Sequence, residues 1–312
     1  NIETVNKVFG LKIKTEAEMI EWLDKNQVKN DQPKNAEEAA LARVGKVLYE
    51  KLFKYYTKKQ WDRYPAELDA SVTNRIPVRT NFDDRYFTDK YQYLPVGGYT
   101  KMFARMLSNP NITVKLDQDY FDIKDQLKGI EKLFYTGPID RFFNFMFSGD
   151  QKLEYRSINF VFESYNQEYY QDSSVVNYNA PGKENFTRIV EYKHLTGQKS
   201  PITTISKEYT VDADNSHEPF YPVPNPRNQE IYEKYKEEAD KLQNIYFVGR
   251  LANYKYFNMD QAFKNALDLF IQLEGKPAQM QNSNTILNNI EKGLKASYKA
   301  LLNVLTPKRK MK

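Results

Sequence analysis

Between Trp61 and Phe87 the chain strings four guanidiniums, Arg63, Arg75, Arg79 and Arg85, among Trp61, Tyr64, Tyr86 and Phe87. A guanidinium presents its N–H groups as a planar fork that matches phosphate oxygens in pairs. An aromatic ring offers a face to a base or a sugar, so the mixture is that of a site for an anionic, partly flat ligand. Pro65 and Pro77 fix the backbone locally and present the arginines from a stiffened frame. The same stretch also reads as a surface strand with solvated charges, and residue types alone leave both readings open.

Other chemistries are closed off. Cysteine is absent, which removes disulfides, thiolate metal sites and a cysteine nucleophile. With only His194 and His217, a multi-histidine metal cluster is out of reach and a histidine-based triad has few candidates. The net charge of +5, from 46 basic and 41 acidic residues, is spread along the chain, which argues against a nucleic-acid partner. No apolar run approaches the roughly 20 residues that span a bilayer, and the first residues show no signal-peptide pattern. A cytoplasmic protein with no membrane partner is expected. Its 312 residues suffice for a sizeable core and two or so domains. Aromatics make up 14%, with 24 Tyr and 19 Phe, and tyrosine's polar tip on an apolar body suits a wet, ligand-lined cavity.

The elements that must position the arginines follow from periodicity. Residues 1–60 read as helical: Thr15 with Glu18 forms a capping box, and Asn35 with Glu38 a variant of it. After Asn35, Leu41, Val44, Leu48, Leu52 and Tyr56 recur at helical steps as one apolar stripe, with KNDQPKN as the loop before it. The arginine stretch then combines turns with one apolar strand. Gly97 and Gly98 lead into a helix over Tyr99–Leu107, Ile112, Val114 and Leu116 alternate as a short strand, and KLFYTGPIDRFF reads as a buried strand ending at Gly137-Pro138. From Leu153 to Tyr209 strand follows strand, LEYRSINFVFESY, SVVNYNA, FTRIVEYKHL and PITTISKEYTV, as in an antiparallel sheet. Arg156 and Arg188 lie inside these strands, where a covered face would demand an anionic partner for each. A proline-rich approach to a polar helix follows. Then come a strand, a Gly249-Arg250 turn and a helix with Asn258 as N-cap, whose unpaired amides can seat an anion. Ser283–Leu305 reads as an amphipathic helix and PKRKMK as a solvated basic tail. The class is α+β, with an α/β portion interrupted and resumed.

The motifs YTKKQW, NRIPVRTNFDDRYF, LPVGGYTKM, YTGPID, EYRSINF, FTRIVEYKH, EPFYPV and VGRLANYKYFNMD stand in the order found in UDP-galactopyranose mutases. From Asn1 to about Leu273 the chain resembles that family. The resemblance implies a helical bundle domain over 1–60 and an antiparallel β-sheet substrate domain over 61–92 and 145–220. It further implies the C-terminal remainder of an interrupted α/β FAD-binding domain over 93–144 and 221–276, with 277–312 as a C-terminal helix and tail. It implies an isomerase that interconverts UDP-galactopyranose and UDP-galactofuranose with reduced FAD, whose N5 attacks the anomeric carbon. UDP-galactose and UDP would be the partners, with a homo-oligomer common in the family. By motif, Arg75 and Arg188 would be the catalytic diphosphate clamp, helped by the hydroxyls of Tyr86, Tyr221 and Tyr256. Tyr56, with Leu52 or Phe53, would hold the uracil, and Trp61 and Phe87 would line the cleft. Gly249, Arg250, Asn258 and Met259 would approach the flavin.

Three departures accompany these matches. No Gly-x-Gly-x-x-Gly turn for the FAD pyrophosphate occurs in this sequence, Asn258 stands where many members carry aspartate, and Leu52 and Tyr55 replace an aromatic and a glycine. The expectation is therefore either a mutase chain lacking the N-terminal glycine-rich segment or a UDP-sugar-binding homologue without flavin.

Overall fold

The computed structural model describes residues 1–147, 152–182, 184–214 and 216–275. It divides into two compact units, Asn1–Tyr256 and Phe257–Lys312.

The first unit opens with helices α1 (Ile2–Phe9), α2 (Glu16–Asn26) and α3 (Ala36–Leu48). Their starts are set by side chains that satisfy the first free amides: Asn1 caps α1, Thr15 and Glu18 make the expected capping box, and Asn35 accepts from the Glu38 amide at 2.9 Å. Ile2, Val5, Met19, Leu23, Ala40, Val44, Leu48, Tyr49 and Phe53 form the helical core. The apolar stripe is interrupted rather than continuous. Gly45 breaks α3 at φ 76°, where a Cβ would collide with the carbonyl oxygen of Asn26. Tyr49–Lys54 is then a π-helical turn before α4 (Tyr55–Trp61). A π turn inserts a residue relative to the α repeat and changes which side chains face inward. It keeps Tyr49 and Phe53 in the core and leaves Tyr56 half-buried at the rim.

A 3₁₀ turn at Pro65–Glu67 and α5 (Ser71–Asn74) follow, and no strand forms between Trp61 and Phe87. The expected strand is replaced by side chain–backbone bonds that compete with ladder pairing. The Arg79 guanidinium donates to the carbonyls of Arg85 at 2.7 Å and Phe87 at 2.8 Å, and Asp83 accepts from the Arg85 amide at 3.1 Å. Helix α6 (Gly98–Met106) is entered through glycines as expected, with Gly97 at φ 83°. The alternating Ile112, Val114 and Leu116 are exposed irregular backbone and belong to neither sheet. Helix α7 (Tyr120–Ile123) precedes β1 (Leu133–Tyr135) and α8 (Ile139–Phe142). In β1 only Tyr135 is buried.

The antiparallel sheet is built from β2 (Tyr155–Tyr165), β3 (Val175–Asn177), β4 (Arg188–Glu191), β5 (Thr203–Asp212) and β6 (Tyr221–Pro222), in the order β3-β4-β5-β2-β6. Strand β4 is shorter than its pattern suggested, because Tyr192–Thr196 forms helix α9, closed by Gly197 at φ 66°. The buried Glu191 carboxylate ties the loop between β2 and β3 to the end of β4 by accepting from the amides of Tyr170 and Gln171, each at 2.9 Å. Helix α10 (Pro226–Ala239) and β7 (Ile245–Phe247) complete this unit. Strand β7 pairs in parallel with β1, and Ile139, Leu153, Ile231, Tyr232, Tyr235 and Tyr254 pack into a second core. The second unit is described through α11 (Met259–Glu274), where the Asn258 amide donates to Gln261 Oε1 at 2.8 Å. The expected helix over 283–305 lies outside the described residues. Helices and an antiparallel sheet mix as the α+β class requires.

Candidate functional site

Residues directly opposite in an antiparallel pair project from the same face of the sheet. Arg156 stands opposite Asp212 and Tyr221, while Arg188 and Phe160 both stand opposite Glu208. One face therefore carries Arg156, Arg188, Glu208, Thr210, Asp212 and Tyr221, and α4 lies over part of it. The Thr210 hydroxyl donates to the Lys59 carbonyl at 2.6 Å, and Lys59 Nζ donates to the Tyr178 carbonyl at 2.6 Å. Both strand arginines have the anionic partner that a covered face demands. Arg188 Nε donates to Glu208 Oε2 at 2.5 Å, and Arg156 pairs with Asp212.

Trp61 ends α4 and is 4% exposed. Its ring meets Tyr221 edge-on at 6.2 Å and Tyr256 at 5.8 Å, and those two tyrosines stack at 5.4 Å. The guanidinium of Arg75 lies over the Tyr256 ring at 4.8 Å, and that of Arg250 over Tyr256 at 5.2 Å and Tyr221 at 5.3 Å. Such cation–π contacts hold the arginine heads in place without using their N–H groups. Burial raises the Tyr56 phenol, and the charges of Arg188 and Arg75 pull it back, with Tyr86 and Glu208 also in its field. Burial likewise raises the Tyr221 phenol, with Tyr256, Arg188, Glu208 and Arg250 around it. Both phenols thus remain protonated donors at neutral pH.

The arginines of the opening stretch separate by role. Arg79 pairs with Asp83 at 3.2 Å, Arg85 with Asp83 at 2.7 Å, and Arg63 with Glu154 at 3.3 Å. These three are engaged in holding loops. Arg75 has no carboxylate partner among the described residues, and it caps α5 beside the tyrosine wall. Tyr86 and Phe87 meet edge-on at 5.0 Å and are both exposed, Phe53 belongs to the helical core, and Leu52 packs at that core's rim. Gly249 follows β7 at φ 99°, and Arg250 donates to the Phe220 carbonyl at 3.1 Å. Asn258 and Met259 open α11 in the second unit. Glu208 went unnoticed in the sequence. Its signal was an acidic residue at a period-two position facing an arginine strand, legible only once the β4–β5 register is known. No group of three or more metal-ligating side chains occurs among the described residues, and no described helix is long and apolar enough to cross a membrane.

The fold sets helix α4 over one face of an antiparallel sheet, and that face carries arginines and a tyrosine. A sequence model of UDP-galactopyranose mutases matches residues 51–256. The chain is 34% identical over 268 residues to a probable UDP-galactopyranose mutase of Klebsiella pneumoniae, covering 86% of this chain and 68% of that protein. It is 34% identical to a dTDP-fucopyranose mutase of Escherichia coli, covering 86% and 71%. To a UDP-galactopyranose mutase of Mycoplasma genitalium it is 38% identical, covering 69% and 56%. The crystal structure of a reduced UDP-galactopyranose mutase shares the fold, with a TM-score of 0.60 at 15% identity over 84% of this chain and 73% of that one. The chain belongs to the UDP-galactopyranose mutase family.

Proposed function

We propose that this chain supplies the substrate side of a UDP-galactopyranose mutase, holding a UDP-sugar by its diphosphate while galactopyranose and galactofuranose forms interconvert with reduced FAD. The observation that carries this reading is the tyrosine wall between the two arginines: Arg75 lies over Tyr256, which stacks on Tyr221, a residue of the same sheet face as Arg188. Within it, the two guanidiniums bind the phosphate oxygens and the hydroxyls of Tyr86, Tyr221 and Tyr256 donate to the same group. Tyr56, with Leu52 or Phe53, faces the uracil, and Trp61 and Phe87 line the cleft. As the bond from the sugar's anomeric carbon to the diphosphate breaks, negative charge grows on the departing phosphate. A preorganised arginine pair stabilises that charge without having to reorganise.

The residues present fit the ring end of FAD. Gly249 lies just beyond the carboxyl end of β7, beside the end of β1, which is where parallel strands receive ligands. Its φ of 99° favours glycine, and an added Cβ would meet nothing nearer than Thr136 Cβ at 4.0 Å. Gly249 and Arg250 are assigned to the flavin within this proposal. Reduced FAD, when bound, supplies the electron-rich centre that receives the sugar. The division into helical domain, substrate sheet and cofactor-binding remainder belongs to the same reading.

The test is UDP titration by calorimetry on the purified chain, with flavin absorbance recorded after incubation with FAD. Arg75→Ala and Arg188→Ala are each expected to weaken UDP binding by about 10- to 100-fold, the range for a lost charge-assisted contact. Unchanged affinity in both variants would refute the site. UDP binding with no retained flavin, by itself or with FAD added, would favour a UDP-sugar-binding homologue over a mutase.

A further inference from the structure

We infer that Glu208 is a positioning residue that fixes how Arg188 meets the diphosphate, an inference that rests on the reading of Arg188 as a phosphate-binding group. Glu208 and Arg188 are register partners on β5 and β4, and their side chains share a face. The Glu208 side chain is 10% exposed and its Oε2 accepts from Arg188 Nε at 2.5 Å. Its backbone is clamped as well. The carbonyl of Glu208 accepts from the Thr187 amide at 2.8 Å and from the buried Thr187 hydroxyl at 3.1 Å. The carboxylate therefore cannot drift with the guanidinium, and the fork is oriented by the sheet.

A guanidinium can meet an anion along the edge formed by Nε and one Nη, or end-on through both Nη atoms. Glu208 occupies Nε. The end-on edge is what remains for a phosphate, and it is the edge farthest from the backbone. Arg188 then reaches its ligand as a two-pronged donor of fixed direction, held by Glu208 on the sheet face that also carries Tyr221. Glu208 also has an opposing effect, because its negative charge repels the diphosphate. A purely electrostatic account predicts that neutralising it tightens anion binding. The positioning account predicts that removing the acceptor loosens it, because a guanidinium free to rotate loses its two-point match.

The experiment compares Glu208→Gln and Glu208→Ala with the unaltered chain, titrating UDP calorimetrically and following hydrogen exchange at the Arg188 Nε–H by ¹⁵N NMR. Glutamine keeps an acceptor oxygen and discards the charge. Positioning predicts that Glu208→Ala binds UDP about tenfold or more weakly and loses protection at Nε. Glu208→Gln should stay within about threefold, with protection retained, since the acceptor survives. If both variants bind UDP as tightly as the unaltered chain or more tightly, the inference is overturned. Should Glu208→Ala fail to fold, Glu208→Gln and the Nε exchange in the unaltered chain still decide: rapid exchange there excludes a fixed Arg188. Arg188→Ala separates the two levels. An unchanged UDP affinity in that variant sinks the phosphate reading itself, whereas a loss there without one in Glu208→Ala sinks only the positioning role.

Discussion

Arg75, Arg79 and Arg85 come from one short stretch and differ in what engages them. Asp83 and two backbone carbonyls engage Arg79, and Asp83 also engages Arg85, while Arg75 lies on the Tyr256 ring with no carboxylate partner among the described residues. Residue type alone could not separate them, because the separation depends on which guanidinium has already been neutralised. Ionisable groups also set the pH response at this scale. Asp140 is 2% exposed, accepts from the Arg141 amide at 3.0 Å and from the Tyr155 hydroxyl at 3.3 Å, and burial pushes its carboxyl up to about 6. A carboxyl whose folded value lies above its ordinary one contributes stability below that ordinary value and loses it as pH rises through 6. The window is roughly pH 4 to 6, and the loss is on the order of 3 kcal/mol. Asp140→Asn keeps the acceptor oxygen and cannot ionise. Urea midpoints of the two proteins are expected to diverge from pH 4.5 to 7.5, with the asparagine variant the more stable at the upper end. Parallel curves would mean that Asp140 is not the group responsible.

Among elements, the stretch from α3 to α4 shows what periodicity reveals and what it conceals. Leu41, Val44, Leu48, Leu52 and Tyr56 do lie along one helical stretch, and Asn35 and Glu38 do begin it. The helical step alone says nothing of the break at Gly45 or of the π turn at Tyr49–Lys54, because both arise from contacts made in the folded chain. The carbonyl oxygen of Asn26 occupies the place a Cβ on residue 45 would need. Gly45→Ala would therefore add a clash with backbone to a φ that side chains disfavour. It is expected to cost about 2 to 4 kcal/mol, seen as a lower urea midpoint with an unchanged slope. A cost near zero would mean that α2 shifts freely against α3. The sheet was more legible than the helices' phase. Period-two alternation marked β2 and β5 and placed Arg156 and Arg188 inside strands. It failed where nothing paired with the segment, at Ile112–Leu116, and where side chains of Arg79 and Asp83 took over the backbone of the arginine stretch.

At the scale of the molecule, the relatives pose a question that the arginine clamp cannot answer. One is a probable UDP-galactopyranose mutase and another a dTDP-fucopyranose mutase, at the same 34% identity. Uridine and thymidine diphosphates share their phosphates and differ at the base methyl and the ribose hydroxyl. A clamp built on Arg75 and Arg188 addresses only the shared part, and a specificity difference is a difference of affinities that must come from elsewhere. On the proposed reading the remaining contacts fall to Tyr56, with Leu52 or Phe53, on the helical layer rather than on the sheet that carries Arg188. Arg188→Ala is therefore expected to weaken UDP and dTDP by the same factor, within about twofold, since the phosphates it would hold are common to both nucleotides. Tyr56→Ala should change the ratio of the two affinities. Calorimetric titration of both nucleotides into both variants decides the matter. A ratio that moves with Arg188 and stays fixed with Tyr56 would place base recognition on the sheet, and the helical layer would then serve to close the cleft rather than to read its occupant.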